Sequence, residues 1–120
     1  MDISDEGFRH VGACLDLEHL SCMYCRDTTD AATAHLMQLR NLKRYYAGAT
    51  QITDRSLEML STLDSLERIE LYECPNVTDA GLALLAAMPH LRELALSGLP
   101  GVSREVANAL PSRIQVDYHT

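Results

Sequence analysis

The sequence contains no tryptophan, one phenylalanine and few basic residues. Across 120 residues, 10 Lys and Arg stand against 17 Asp and Glu, which gives a formal net charge of -7. Because this balance is acidic and the basic residues do not cluster, we expect no nucleic-acid partner and no anionic membrane surface as partner. No apolar run approaches the ~20 residues that span a bilayer. The acidic start, Met1 to Glu6, also lacks the apolar segment of a signal peptide. These absences predict a cytoplasmic protein.

The chain does contain an internal repeat, which is the strongest signal in the sequence. Asp residues that each follow Ser or Thr recur at intervals of 25, 24 and 25 residues. The hydroxyl of such a pair caps a helix N-terminus, and the carboxylate complements the helix dipole. Apolar residues then recur at a spacing of three, typical of a short helix, and later at a spacing of two, typical of a short strand. The repeated pairs end at Asp5, Asp30, Asp54 and Asp79, and the Leu residues that open each strand region are Leu17, Leu42, Leu66 and Leu91.

A known repeat type has the same pattern. The segment Leu66–Leu82, with Ile69 and Leu71 followed by Cys74, resembles the cysteine-containing subtype of leucine-rich repeat. That subtype occurs in F-box ubiquitin-ligase receptors, in bacterial repeat proteins and in the mitochondrial coupling factor B family. The segment 96–102 also resembles the closing stretch of factor B-type proteins. The resemblance implies an α/β fold: a short right-handed leucine-rich-repeat solenoid, or horseshoe, with a parallel inner sheet and outer helices.

The repeat also predicts the domain organisation. We expect one domain over residues 1–120, because helix–strand units bury their apolar faces only by stacking. The predicted repeats are 3–26, 27–51, 52–76 and 77–101, with a C-terminal cap at 102–120. No matching cap precedes the first unit. We therefore expect either that the chain is the C-terminal part of a longer protein or that it associates with a partner through this uncapped N-terminal edge.

Strand alternation predicts which side chains face away from the helices. Equivalent positions of adjacent parallel strands form rows across the concave sheet face. The rows are His19, Arg44, Arg68, Glu93 and Arg113; then Ser21, Tyr46, Glu70, Ala95 and Gln115; then Met23, Gly48, Tyr72, Ser97 and Asp117. Tyr and Arg dominate many protein–protein interfaces. The predicted partner-binding residues are Arg44, Tyr46, Arg68, Glu70, Tyr72, Met23, His19 and Glu93, although alternating polar residues are equally typical of a solvated sheet face.

Metal, redox and catalytic functions are not expected. Cys22 and Cys25 have the spacing of metal ligands, but no second pair completes a tetrahedral zinc site. The repeat explains the cysteines as buried free thiols, with Cys14 on the apolar stripe of the first helix. Cys25 and Cys74 would lie two strands apart, too far for a disulfide. The sequence has neither phosphate-binding glycine motif nor a plausible nucleophile–base pair. We therefore predict no enzymatic activity, no metal and no cofactor.

The predicted function is a non-enzymatic protein–protein interaction module that binds a partner through the concave sheet face. The resemblance leaves two alternatives open. One is the substrate-recognition part of a ubiquitin-ligase receptor of the F-box type. The other is a factor B-like protein that acts in assembly or coupling of respiratory complexes.

Overall fold

Helices and strands alternate along the whole described chain. The computed structural model describes the backbone of residues 5–23 and 26–119, and the side chains of 7–22 and 26–119. The elements are α1 (Asp5–Val11), β1 (His19–Met23), α2 (Asp30–Ala34), β2 (Arg44–Gly48), α3 (Asp54–Leu60), β3 (Arg68–Tyr72), α4 (Asp79–Ala86), β4 (Glu93–Ser97), α5 (Arg104–Asn108) and β5 (Gln115–His119). In the described part of the chain, each helix is too short or too polar to cross a membrane.

The strands form one five-stranded parallel sheet in the order β1-β2-β3-β4-β5. Each strand pairs with its neighbours in the chain, so successive helix–strand units lie side by side. Alternate strand residues such as Ile69 and Leu71 are fully buried and share one core with Leu57 and Leu82 of the helices. This arrangement confirms the predicted α/β fold with a parallel sheet. Because strand side chains alternate between faces, Arg68, Glu70 and Tyr72 lie on the opposite face of the sheet and are only partly buried.

The Ser/Thr-Asp pairs begin helices, as predicted. The side-chain oxygens of Thr29, Thr53 and Thr78 accept hydrogen bonds from backbone N–H groups two residues later, at 3.2, 3.1 and 3.3 Å. The carboxylates of Asp30, Asp54 and Asp79 have a further role that capping alone does not predict, because each of these three accepts a hydrogen bond from the cap of the next unit. The distances are 2.9 Å from Thr53 N to Asp30, 2.8 Å from Thr78 N to Asp54 and 2.7 Å from Ser103 N to Asp79. These carboxylates therefore link consecutive units.

Close packing between the units also explains why position 81 is a glycine. A Cβ at Gly81 of α4 would lie 2.3 Å from Oδ1 of Asp54 and 2.6 Å from Cδ1 of Leu57. Real side chains do not approach each other this closely. Gly81 therefore lets the Asp54 carboxylate reach the start of α4.

The last strand pairs differently from the prediction. Leu94 and Leu96 lie opposite Val116 and Tyr118, so β5 is shifted by two residues from the expected pairing with Ile114. Ile114 is buried before β5 begins, where the shortened connection from α5 places it in the core. The predicted row ending at Arg113 therefore ends at Gln115, the second row ends at Asp117 and the third at His119. A shift of two preserves the alternation of faces, so the hydrophobic pattern alone fits both registers.

Each of the three central strands ends in the same tight turn. Ala49, Glu73 and Gly98 follow β2, β3 and β4 and have φ values of +56°, +50° and +64°. In this left-handed conformation, the N–H groups of Ala49 and Glu73 each bond to a carbonyl at the end of the next strand, at 2.9 Å in both cases. Only Gly98 adopts this conformation without a steric cost.

Candidate functional site

The outward residues of the strands form a polar surface, which we call the open sheet face. We define it as the outward positions of β1 to β5: His19, Ser21, Met23, Arg44, Tyr46, Gly48, Arg68, Glu70, Tyr72, Glu93, Ala95, Ser97, Gln115, Asp117 and His119. Parallel pairing places equivalent residues of neighbouring strands side by side, as with Arg44 and Arg68. The face therefore gathers residues that are about 25 positions apart in the sequence.

Glu70 lies at the centre of a hydrogen-bonded network on this face. Its carboxylate accepts bonds from Nε of Arg68 at 2.9 Å and from the hydroxyl of Tyr72 at 2.6 Å. Arg68 also forms an ion pair with Glu93 on the next strand. The side chain of Glu70 is only 15% exposed, and these bonds fix its position. The network fixes the orientation of three side chains before any partner binds.

The network changes the acidity of its members. Burial raises the pKa of Glu70, but hydrogen bonds from Tyr72 and Arg68 outweigh burial and place this pKa below its usual value. The bond to Glu70, with burial and the negative charge of Glu70, raises the pKa of Tyr72 to about 12. The same carboxylate raises the pKa of Arg68. Near neutral pH the network therefore contains an ionised carboxylate, a protonated guanidinium and a neutral phenol.

Tyr46 joins the network from the neighbouring strand. Its ring meets the His19 ring edge to face, with 4.7 Å between ring centroids and an interplanar angle of 72°. Tyr46 also lies close enough to Glu70 to contribute to the lowered pKa of that carboxyl. Tyr46 and Tyr72 therefore flank Glu70 and present partly exposed aromatic surface.

Two shallow depressions lie on the face. The β2–β4 depression has a volume of about 300 Å³, and its lining includes Arg44, Tyr46, Glu67, Arg68 and Arg92. The β4–β5 depression has a volume of about 240 Å³, and its lining includes Glu93, Ala95 and Asp117. The Arg68–Glu93 ion pair contributes to both linings, so the depressions are adjacent.

The structure brings most of the predicted binding residues together. His19, Tyr46, Arg68, Glu70, Tyr72 and Glu93 are connected by ring contacts, hydrogen bonds or ion pairs. Arg44 lines the β2–β4 depression. Met23 lies in β1, but its side chain is outside the described residues. No observation here tests whether these residues bind a partner, so their binding role stays a prediction.

Sequence reasoning missed two residues of the β2–β4 depression, Glu67 and Arg92. Both immediately precede a strand, and the N–H of Arg92 donates to the carbonyl of Glu67 at 2.8 Å. They hold the same position in consecutive repeats, so the repeat alignment places them side by side. Strand alternation alone does not show that this position also borders the open face.

Two of the described cysteines are buried, as predicted, and a third is not. Cys22 and Cys74 are buried, and burial raises the pKa of Cys74. The prediction that Cys14 lies on the buried stripe of the first helix is wrong: α1 ends at Val11, and Cys14 is exposed beyond that end. Cys25 lies outside the described residues. In the described part of the chain, no group of three His, Cys, Asp or Glu side chains has a geometry suited to a metal ion.

Fold and face together define an α/β protein of consecutive helix–strand units with an ordered, polar sheet surface. Curated relatives that match the chain are named mitochondrial ATP synthase subunit s. The rat protein is 30% identical over 100 residues, covering 83% of this chain and 40% of the relative. The human protein is 37% identical over 89 residues, covering 65% of this chain and 42% of the relative. The chain thus spans less than half the length of these relatives. No protein-family model matches it.

The comparisons correct the predicted location. The chain was expected to be cytoplasmic because it shows no secretion signal, but the rat, human and bovine relatives are all named as mitochondrial proteins. The cytoplasmic prediction is therefore contradicted.

Proposed function

We propose that this chain is a non-enzymatic accessory protein of mitochondria that binds a subunit of the ATP synthase. The single observation that supports this most strongly is its similarity to ATP synthase subunit s over 83% of its length. Of the functions predicted from the sequence, this supports the factor B-like alternative better than a protein-binding module without a specified partner. We propose a role in assembly or coupling on the basis of this similarity.

We also propose a specific repeat fold for the chain. Five units with the same helix-to-strand order and a parallel sheet in chain order support a right-handed leucine-rich-repeat horseshoe. In such a fold the sheet lines the inner, concave side and the helices lie outside. The open sheet face would then be the concave surface.

We place the docking surface on the open sheet face. Tyr and Arg side chains contribute strongly to many interfaces, and here Tyr46, Tyr72 and Arg68 lie close together. Because Glu70 already holds Arg68 and Tyr72 in place, little side-chain freedom is lost when a partner binds. Preorganisation of this kind raises affinity.

The test measures binding of the purified chain to mitochondrial ATP synthase purified from its source organism. We expect co-migration on native gels, and we expect the double variant Tyr46→Ala/Tyr72→Ala to fold normally but bind at least about tenfold more weakly. Leu84→Ala, an exposed change on α4, is the control and should bind like the unchanged chain. Absence of binding, or equal loss in the control, would contradict the proposal, as would cytosolic residence in fractionated cells.

A further inference from the structure

We propose that the β2–β4 depression receives a carboxylate from an acidic segment of a partner protein. Arg44, Arg92 and Arg68 contribute to its lining, together with Tyr46. The inference rests on the proposed docking role of the open sheet face and specifies the chemistry of what docks there.

The charge on Arg44 is not offset by a neighbouring carboxylate among the described residues. Register places Arg44 directly beside Arg68 on the neighbouring strand, and like charges facing each other across strands are destabilising. The charge on Arg68 is offset by Glu70 and Glu93. The nearby carboxylate of Glu18 pairs with Lys43 at 3.6 Å. Among the described residues, Arg44 is left without an ion pair.

Arg92, which directly precedes β4, also lines the depression. Arg92 is exposed and likewise makes no ion pair in the described part of the chain. A carboxylate between Arg44 and Arg92 would offset both charges. Guanidinium groups match carboxylates with paired, charge-assisted hydrogen bonds. A volume of about 300 Å³ accommodates an Asp or Glu side chain.

The adjacent β4–β5 depression is less favourable for a carboxylate. Its charged lining residues are Glu93, Asp117 and Arg68, so acidic side chains outnumber the basic one there. Three acidic residues, Glu67, Glu70 and Glu93, also line the β2–β4 depression. Glu70 and Glu93 are paired with Arg68, so the acidic group that opposes binding is Glu67, which is exposed and has no ion pair among the described residues. Among the charged residues of the β2–β4 depression that have no ion pair in the described part of the chain, two are basic, Arg44 and Arg92, and one is acidic, Glu67. This balance favours an acidic segment there over the β4–β5 depression.

The net charge makes the test selective. A protein with a formal charge of -7 repels an acidic peptide in general, so binding of such a peptide requires a local basic site. The probe is a short fluorescein-labelled peptide of alternating Glu and Ser, compared with its Gln counterpart by fluorescence anisotropy. Backbone amide shifts recorded by NMR during the titration identify where the peptide binds.

We expect the Glu peptide to bind and to shift amides of residues 44–46, 67–70 and 92–93. Arg44→Gln and Arg92→Gln should each weaken binding about fivefold to tenfold, as expected for loss of one charge-assisted contact. Glu67→Gln should tighten binding. Arg55→Gln, on the exposed surface of α3, makes the same change in net charge as the two arginine variants and should leave binding unchanged.

The proposal is overturned if the Gln peptide binds equally well, if Arg55→Gln weakens binding as much as Arg44→Gln, or if the shifted amides lie elsewhere. It is also overturned if inorganic phosphate displaces the peptide at equal concentration, since the site would then select small anions. Failure of the chain to bind ATP synthase, with peptide binding intact, would contradict the proposed function and leave this inference standing.

Discussion

The carboxylates that link the helix–strand units allow a quantitative prediction for Asp30→Ala. The Asp30 carboxylate accepts three hydrogen bonds from the next unit. They come from the backbone N–H of Thr53 at 2.9 Å, from the hydroxyl of Thr53 at 2.6 Å and from the hydroxyl of Ser56 at 2.5 Å. Truncation to Ala removes all three and leaves the fully buried Ser56 hydroxyl without this acceptor.

The magnitude follows from these bonds. A hydrogen bond to a charged group contributes about 1.5–3 kcal/mol when it is shielded from water. Asp30 and Thr53 are only half-buried, so water replaces part of what is lost. Ser56 also keeps its contact with the Thr33 hydroxyl at 2.7 Å. We expect the free energy of unfolding to fall by about 2–3 kcal/mol, and Asp30→Asn to lose less because its amide oxygen still accepts one bond.

The effect should depend on pH. Burial raises the pKa of Asp30, but the hydrogen bonds from Ser56 and Thr53 outweigh burial and lower this pKa below its ordinary 3.8. Because the folded-state pKa lies below the unfolded one, the contribution of Asp30 is fully present above the unfolded value. It is lost as the pH falls through the folded value. The difference between the unchanged chain and Asp30→Ala should therefore be largest at neutral pH and shrink below about pH 4.

Urea unfolding followed by circular dichroism, at neutral pH and at about pH 3, measures both effects. Asp64→Ala is the matched control, because Asp64 is exposed and makes none of these bonds. The reasoning is refuted if the two variants differ by less than about 0.5 kcal/mol, the usual range for surface substitutions. It is also refuted if the loss in Asp30→Ala stays constant as the pH falls.

The remaining predictions concern the strand-end turn and the Glu70 network. Glu73→Gly should raise the free energy of unfolding by about 0.5–1 kcal/mol, since Glu73 has a φ of +50° that glycine adopts freely. Chemical denaturation measures this change. A loss of stability would show that the turn is not strained. Glu70→Gln should bring the pKa of Tyr72 from about 12 towards its usual 10.0, followed by NMR titration of labelled tyrosine. Glu93→Gln is the control for that titration, and an unchanged Tyr72 pKa in Glu70→Gln would contradict the assigned cause.

Much of the fold follows from the local pattern. Thr53-Asp54 predicts a helix start because the hydroxyl and carboxylate act on backbone groups within one turn. The alternation of Ile69 and Leu71 predicts a half-buried strand because the period of strand side chains is two. Since the pattern recurs along the chain, the parallel stacking of units also follows.

The register of β5 and the position of Cys14 did not follow. A shift of two residues leaves the same faces buried, so the alternation at Val116 cannot choose between registers. The end of α1 at Val11 leaves Cys14 exposed. Gly12, directly after Val11, is a common helix-end signal, but the three-residue spacing of Phe8, Val11 and Cys14 predicted that the helix continues.

The sequence by itself determined the repeat, the element types and the inward or outward direction of strand residues, because these depend on contacts within one unit. Only the tertiary structure decided that Asp30 bonds to the cap of the following unit and that Glu70 joins Arg68 and Tyr72. It also decided that, among the described residues, Arg44 has no counter-charge while Arg68 has two. The contacts of Asp30 and Arg44 depend on which rotamers meet across neighbouring units, and those of Glu70 depend on rotamers within β3. The linear pattern does not encode that geometry.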